Sequence, residues 1–207
     1  MPLTASVTAM PGFVIPFHGA GGKTRLDTLG AQARAVLAHA MASDVAAACR
    51  ALGSVVVVAP EDPQLAGTVF VPDPGGGQGA AVATGLAAVT SLSDDRVAVV
   101  VNADVPCVTT ADLTVLIEAL AGHAIAYAPA ADGTTNALAL ADASVFAPLY
   151  GPGSAARFAA LAQSVAVTLP NLVDDVDTPA DLMRLAGRLG VATRLTLKEP
   201  GMIGEAA

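Results

Sequence analysis

Three aspartates stand where a chain can hold a cation. Asp104 follows an apolar run, Val97 to Val101, through Asn102-Ala103, and precedes Val105-Pro106. Such a run reads as a central strand buried on both faces of a parallel sheet. Ligands of open α/β sheets sit outside the carboxyl ends of the strands. Asp175 and Asp177 belong to Asp174-Asp175-Val176-Asp177, where residues two apart in an extended segment project to the same side. Together with Asp104 they would form an all-oxygen, strongly negative site suited to Mg²⁺, which takes one or two carboxylates plus substrate phosphates. The plainer alternatives are a turn aspartate before a proline and a solvated acidic turn in which Asp177 helps cap the next helix. Three carboxylates without a cation would repel one another, so their co-location favours a metal.

Two glycine-rich stretches suit phosphate. In Gly19-Ala20-Gly21-Gly22-Lys23-Thr24-Arg25 the glycines free the backbone to approach an anion, and Lys23 and Arg25 add charge. The chain has eight Arg but only two Lys, Lys23 and Lys198, so a lysine in this loop points to a need for a compact ammonium. A Walker A motif fails, because Phe17 occupies the position of its first glycine. In Gly75-Gly76-Gly77-Gln78-Gly79-Ala80, Gly75, Gly77 and Ala80 match a dinucleotide fingerprint. That match does not follow the first strand, so the stretch reads instead as a nucleotide-facing loop. The three histidines, His18, His39 and His123, are scattered without metal spacing, and no nucleophile elbow is present. A metal-and-phosphate site without an evident general base fits a nucleophile that is already anionic, such as a phosphate monoester oxygen attacking a nucleotide α-phosphorus. Catalysis would then be positioning and charge neutralisation by Mg²⁺ and Lys23.

The elements that must carry these residues alternate. Strands are expected at 12–16, 54–59, 68–71, 97–101, 124–128, 136–141 (returning beside its predecessor) and 165–169. Helices are expected at 29–52 with Gly53 as its stop, 78–91, from a cap at Thr109 or Thr110 to about 122, 144–149, 154–163, and from Thr178, the N-cap, with Pro179 at the first helical position. Residues from about 191 show no strong pattern. This is a three-layer α/β sandwich with a mostly parallel central sheet, read as a single domain over 1–207 with its core at about 12–190 and a tail of unknown role. At 54% hydrophobic but only 3% aromatic residues, the core must be built from Ala, Val and Leu. A net charge of −8 argues against nucleic acid as a partner. No run reads as membrane-spanning. With no basic leader, and with Cys49 and Cys107 read as reduced packing residues, a cytoplasmic protein is expected. An Ala-rich chain of this size leaves room for a homodimer interface.

Five stretches occur in the order found in one known family: Lys23-Thr-Arg-Leu26, Asn102-Ala-Asp-Val-Pro106, Gly133-Thr-Thr-Asn-Ala-Leu138, Tyr150-Gly-Pro-Gly-Ser154 and Asp175-Val-Asp-Thr-Pro-Ala-Asp-Leu182. Over about residues 12–190 the chain resembles the guanylyltransferases of deazaflavin coenzyme (F-420) biosynthesis. The resemblance implies a nucleotide-diphospho-sugar-transferase-like fold, similar to molybdenum-cofactor guanylyltransferases. It implies transfer of GMP from GTP to phosphoenolpyruvate or 2-phospho-L-lactate with release of pyrophosphate, and hand-over of the product to a downstream transferase. It makes Asp104, Asp175 and Asp177 the Mg²⁺ ligands, with Lys23 and Asp104 catalytic. Thr135, Gly151 and Ser154 would surround the phosphorylated three-carbon acid, with Lys23 near its phosphate; from the glycine-rich stretches themselves, Gly21, Lys23, Arg25 and Gly79 are expected to meet the nucleotide. The chain departs from the family at Pro16-Phe17-His18, where a basic residue is usual, and at Gln78-Gly79, where Leu-Asn is usual and a base or ribose is expected. Another nucleotidyltransferase of this fold, or a non-catalytic GTP-binding module, is the alternative.

Overall fold

The computed structural model describes residues 10–19, 26, 29–92, 96–161, 163–200 and 202. The strands are β1 (Gly12–Pro16), β2 (Ser54–Ala59), β3 (Val69–Pro72), β4 (Ala98–Val101), β5 (Ile125–Pro129), β6 (Thr135–Leu140) and β7 (Ser164–Ala166). The α-helices are α1 (Ala31–Arg50), α2 (Gln78–Val89), α3 (Thr110–Glu118), α4 (Ser154–Ala159), α5 (Pro170–Val173), α6 (Pro179–Leu185) and α7 (Val191–Thr196). The strands form one sheet in the order β3-β2-β1-β4-β6-β5-β7. β6 pairs antiparallel with both β4 and β5, while the other pairings are parallel. The mostly parallel α/β architecture expected from the alternation is therefore present.

Strand period two sends neighbouring residues to opposite faces, and here both faces are covered. Phe13 and Ile15 of β1, Val55 and Val57 of β2, and Val99 and Val101 of β4 join one buried cluster with α1 and α3. Val14, Val56, Val58, Ala98 and Val100 join another with α2 and Phe158 of α4. Double burial is why these strands read as unbroken apolar runs. A third cluster lies apart from both, joining Leu37 and Met41 of α1 to Cys107, Val176, Leu182 and Leu185.

Several expectations shift in detail. The helix expected at 144–149 reduces to a 3-10 turn at Ala143–Val145, after which Phe146 is extended. Pro148 disfavours helical backbone at the residue before it. Gly53 is not the left-handed stop of α1; its Cβ would lie 1.9 Å from the Pro11 carbonyl oxygen, so close approach requires the glycine. The segment after 191, patternless in sequence, forms α7 on α1. Asp44 of α1 accepts the backbone N–H groups of Ala192 and Thr193, each at 2.8 Å, capping α7 from a distant helix.

Candidate active site

The acidic site is built where β4 ends. The backbone N–H of Asn102 donates to the Asn136 carbonyl at 2.9 Å, beyond which the chain leaves the sheet. The N–H of Val176 then donates to the Asp104 carbonyl at 2.9 Å, laying the second acidic segment alongside the first. Val176 is fully buried among Leu26, Leu182 and Leu185. With that side chain turned inward, alternation turns Asp175 and Asp177 the other way. One carboxylate oxygen from each of Asp104, Asp175 and Asp177 lies within 4.8 Å of the others, and all three residues are half-buried. An oxygen-only, anionic, partly solvated donor set fits a hard divalent cation, Mg²⁺ being one. Among the described residues this is the one cluster of its kind.

The flanks of that segment are fixed by charge. Thr178 and Asp181 form a capping box at the start of α6, with Pro179 in the first turn, as the sequence predicts. Burial acts to raise the Asp181 carboxyl, but hydrogen bonds from Arg184, Thr178 and the backbone outweigh it and bring the group down to about 2. Asp174 is held by arginines instead of joining the triad: Arg184 donates to one oxygen at 2.6 Å and Arg188 to the other at 2.5 Å. Burial opposes ionisation of Asp174, and the two guanidinium groups prevail, holding its carboxyl below the usual range.

Behind the acids runs a polar network. Asn102 accepts from the Gln78 side-chain amide at 2.8 Å and donates to the Thr135 carbonyl at 3.2 Å and the Asn136 side chain at 3.3 Å. Asn136 in turn donates to the Leu172 carbonyl at 2.9 Å. Thr135 and Ser154, expected around a phosphorylated acid, are brought together: Ser154 Oγ donates to Thr135 Oγ1 at 3.1 Å, and both are buried. Gly151 lies in the loop before α4 at φ 104°, and Gly153 at 73°, conformations that favour glycine. The Arg157 guanidinium ties this loop by donating to the carbonyls of Leu149, Tyr150, Gly151 and Pro152.

A cleft opens beyond the carboxyl ends of β1 and β4, lined by Phe17, His18, Gln78, Asn102 and Asp104 among others. On its rim, His18 Nδ1 lies 3.3 Å from Asp73 Oδ2. The glycine-rich stretch enters α2 through Gly75, Gly76 and Gly77, all at positive φ, and no side chain caps this twelve-residue helix. Gly79 sits in its first turn, where a Cβ would lie 2.7 Å from the Pro148 Cβ, a packing reason for glycine that needs no nucleotide. Gly21, Lys23 and Arg25, expected to meet the nucleotide, lie outside the described residues. Among the described residues no helix is long and apolar enough to cross a membrane.

Sequence reasoning missed Asn136, Arg184 and Arg188. The first carried a signal, an amide inside the otherwise apolar run Ala137-Leu-Ala-Leu140 that it opens. The arginines carried none, since an exposed arginine in or just after a helix is ordinary until its partners are known.

Residues 20–167 match the MobA-like NTP transferase domain. A phosphoenolpyruvate guanylyltransferase of Thermomonospora curvata is 38% identical over 189 residues, 84% of this chain and 82% of its own. Another, from Streptomyces avermitilis, is 38% identical over 87% of this chain and 90% of its own. A Desulfovibrio desulfuricans structure named for nucleotide-diphospho-sugar transfer aligns with TM-score 0.68 at 17% identity, covering 92% of this chain and 96% of that one. The 2-C-methyl-D-erythritol 4-phosphate cytidylyltransferase of Thermus thermophilus aligns at 0.57 with 19% identity, over 84% and 96%. These two likenesses carry the fold. The chain is a nucleotidyltransferase and belongs to the MobA-like NTP transferase family, in the group of relatives named phosphoenolpyruvate guanylyltransferase.

Proposed function

We propose that this protein transfers GMP from GTP to the phosphate of phosphoenolpyruvate, with Mg²⁺ held by Asp104, Asp175 and Asp177. The observation that carries the reading is the meeting of those three carboxylates at the end of β4, in a chain whose relatives carry that name at 38% identity. A phosphate oxygen of the acceptor attacks the α-phosphorus of GTP, the bond to the β-phosphate breaks, and pyrophosphate leaves. The acceptor oxygen is already anionic, so the protein need supply no base. When bound, Mg²⁺ neutralises charge on the phosphates and polarises the α-phosphoryl group. The chain's own part is positional. Asn102 holds the Asp104 turn to β6, Val176 anchors Asp175 and Asp177, and Lys23 supplies an ammonium to phosphate. Gly21, Arg25, Gly79 and the uncapped start of α2 belong to the nucleotide side. Thr135, Gly151 and Ser154 belong to the acid side. The pathway is that of the deazaflavin coenzyme in the cytoplasm, a downstream transferase taking the product; 2-phospho-L-lactate is the acceptor closest in chemistry.

Pyrophosphate release is measured with GTP and Mg²⁺ in the presence of phosphoenolpyruvate, 2-phospho-L-lactate or a phosphoglycerate, with ATP as control. Release is expected with GTP and phosphoenolpyruvate; GTP binding without release under any acceptor would overturn the reading. Asp104→Asn is expected to lower turnover by about a thousandfold or more, as loss of a charge-stabilising term of several kcal/mol requires. Its thermal midpoint should stay near that of the wild type, because an apo cluster of three carboxylates gains nothing from the third charge.

A further inference from the structure

Of four consecutive residues at 174–177, three are acids, but Asp174 is not in the cluster with Asp104. Its oxygens are taken by Arg184 and Arg188. Arg184 also reaches the other side of the pair. Its second terminal nitrogen donates to Asp181 at 2.9 Å, and the other oxygen of Asp181 accepts the backbone N–H groups of Asp177 at 3.3 Å and Thr178 at 2.9 Å. One guanidinium thus spans the segment: its first arm holds the residue before Asp175, and its second arm holds the carboxylate that holds the Asp177 backbone. Arg188 extends the grip by donating to Asn171, which donates to Asp112 at the start of α3.

We infer that Arg184 is a positioning residue that sets the spacing of the Asp175 and Asp177 carboxylates for a divalent cation, an inference that rests on the metal reading above. Geometry and charge make opposite claims here, which is what makes the inference testable. A positive charge beside a cation site repels the cation, so by Coulomb's law alone removing it should tighten metal binding. If Arg184 acts by holding the two ends of the segment, removing it loosens the ligands and weakens binding. Loss of the outer partners that orient metal ligands typically costs about ten- to a hundredfold in affinity. Lysine keeps the charge but is a single point donor, without the fixed fork that serves two carboxylates at once.

The test is Mn²⁺ binding to the full chain, read by the loss of the free-ion electron paramagnetic resonance signal, with no nucleotide present. Arg184→Gln is expected to raise the Mn²⁺ dissociation constant about tenfold, and Arg184→Lys to do so to a similar extent. Circular dichroism and thermal midpoint are read alongside; if Arg184→Gln fails to fold, Arg184→Lys carries the test. Unchanged or tighter binding by a folded Arg184→Gln, or wild-type binding by Arg184→Lys, overturns the role given to Arg184 and leaves the metal site standing. A wild-type protein that binds no Mn²⁺, or binds it unaltered after Asp175→Asn, overturns the metal reading itself and the inference with it.

Discussion

Asn136 shows how a single buried side chain can join the strand that completes the sheet to the segment that carries the acids. Its amide donates to the Leu172 carbonyl, its oxygen accepts from Asn102, and its backbone carbonyl receives the Asn102 N–H. A buried donor or acceptor left without a partner costs about 1–3 kcal/mol. Asn136→Leu keeps the branched shape but removes the amide partner of the Leu172 carbonyl and one acceptor of Asn102, so we expect a loss of about 2 kcal/mol of stability, measured as a lowered urea midpoint with an unchanged slope. Asp104→Asn and Asp175→Asn are expected to act differently, because under the proposed function those carboxylates serve a cation rather than the resting fold.

At the scale of elements, α7 is held by a tertiary cap. A helix of this length cannot sustain itself, and Asp44 on α1 meets its first-turn N–H groups in a largely buried setting. Gly190 makes room for that carboxylate; a Cβ there would lie 2.1 Å from the Asp44 Cγ. The Gly190 N–H donates to the Pro106 carbonyl at 2.8 Å, which ties the cap to the turn that carries Asp104. Asp44→Ala is expected to cost about 2 kcal/mol, the upper range for a lost cap. Faster amide hydrogen exchange at Ala192 and Thr193 than elsewhere in the sheet-bound helices would localise the effect. An unchanged exchange rate at those two sites would mean that α7 is held by its apolar face alone.

For the molecule as a whole, three buried clusters lock the sheet, its helices and the acidic segment together. The two thiols report on that locking. Cys49 lies within α1 against the sheet, and burial pushes its thiol far above the usual range; Cys107 is buried in the third cluster and is also raised, by burial first. Both should resist a chromogenic disulfide reagent under mildly alkaline conditions in the folded protein and react fully in denaturant. Prompt reaction of Cys107 alone would show that the third cluster opens independently of the sheet.

The sequence by itself determined the elements whose signals are local. Apolar runs buried on both faces marked β1, β2 and β4, because double burial leaves no polar alternation to confuse them with amphipathic structure. Thr178-Pro179 marked the start of α6, because a cap is a covalently local device. It also indicated that Asp104, Asp175 and Asp177 could share a cation, since strand ends and period two are readable from spacing. What only the tertiary structure decided are the partnerships made across the chain: Asp44 with α7, Asn136 with Leu172, Gly53 with Pro11, and Arg184 with acids on both sides of the pair. Each depends on which backbone approaches which, and that is fixed by packing of all the elements at once. No residue's type or spacing encodes it.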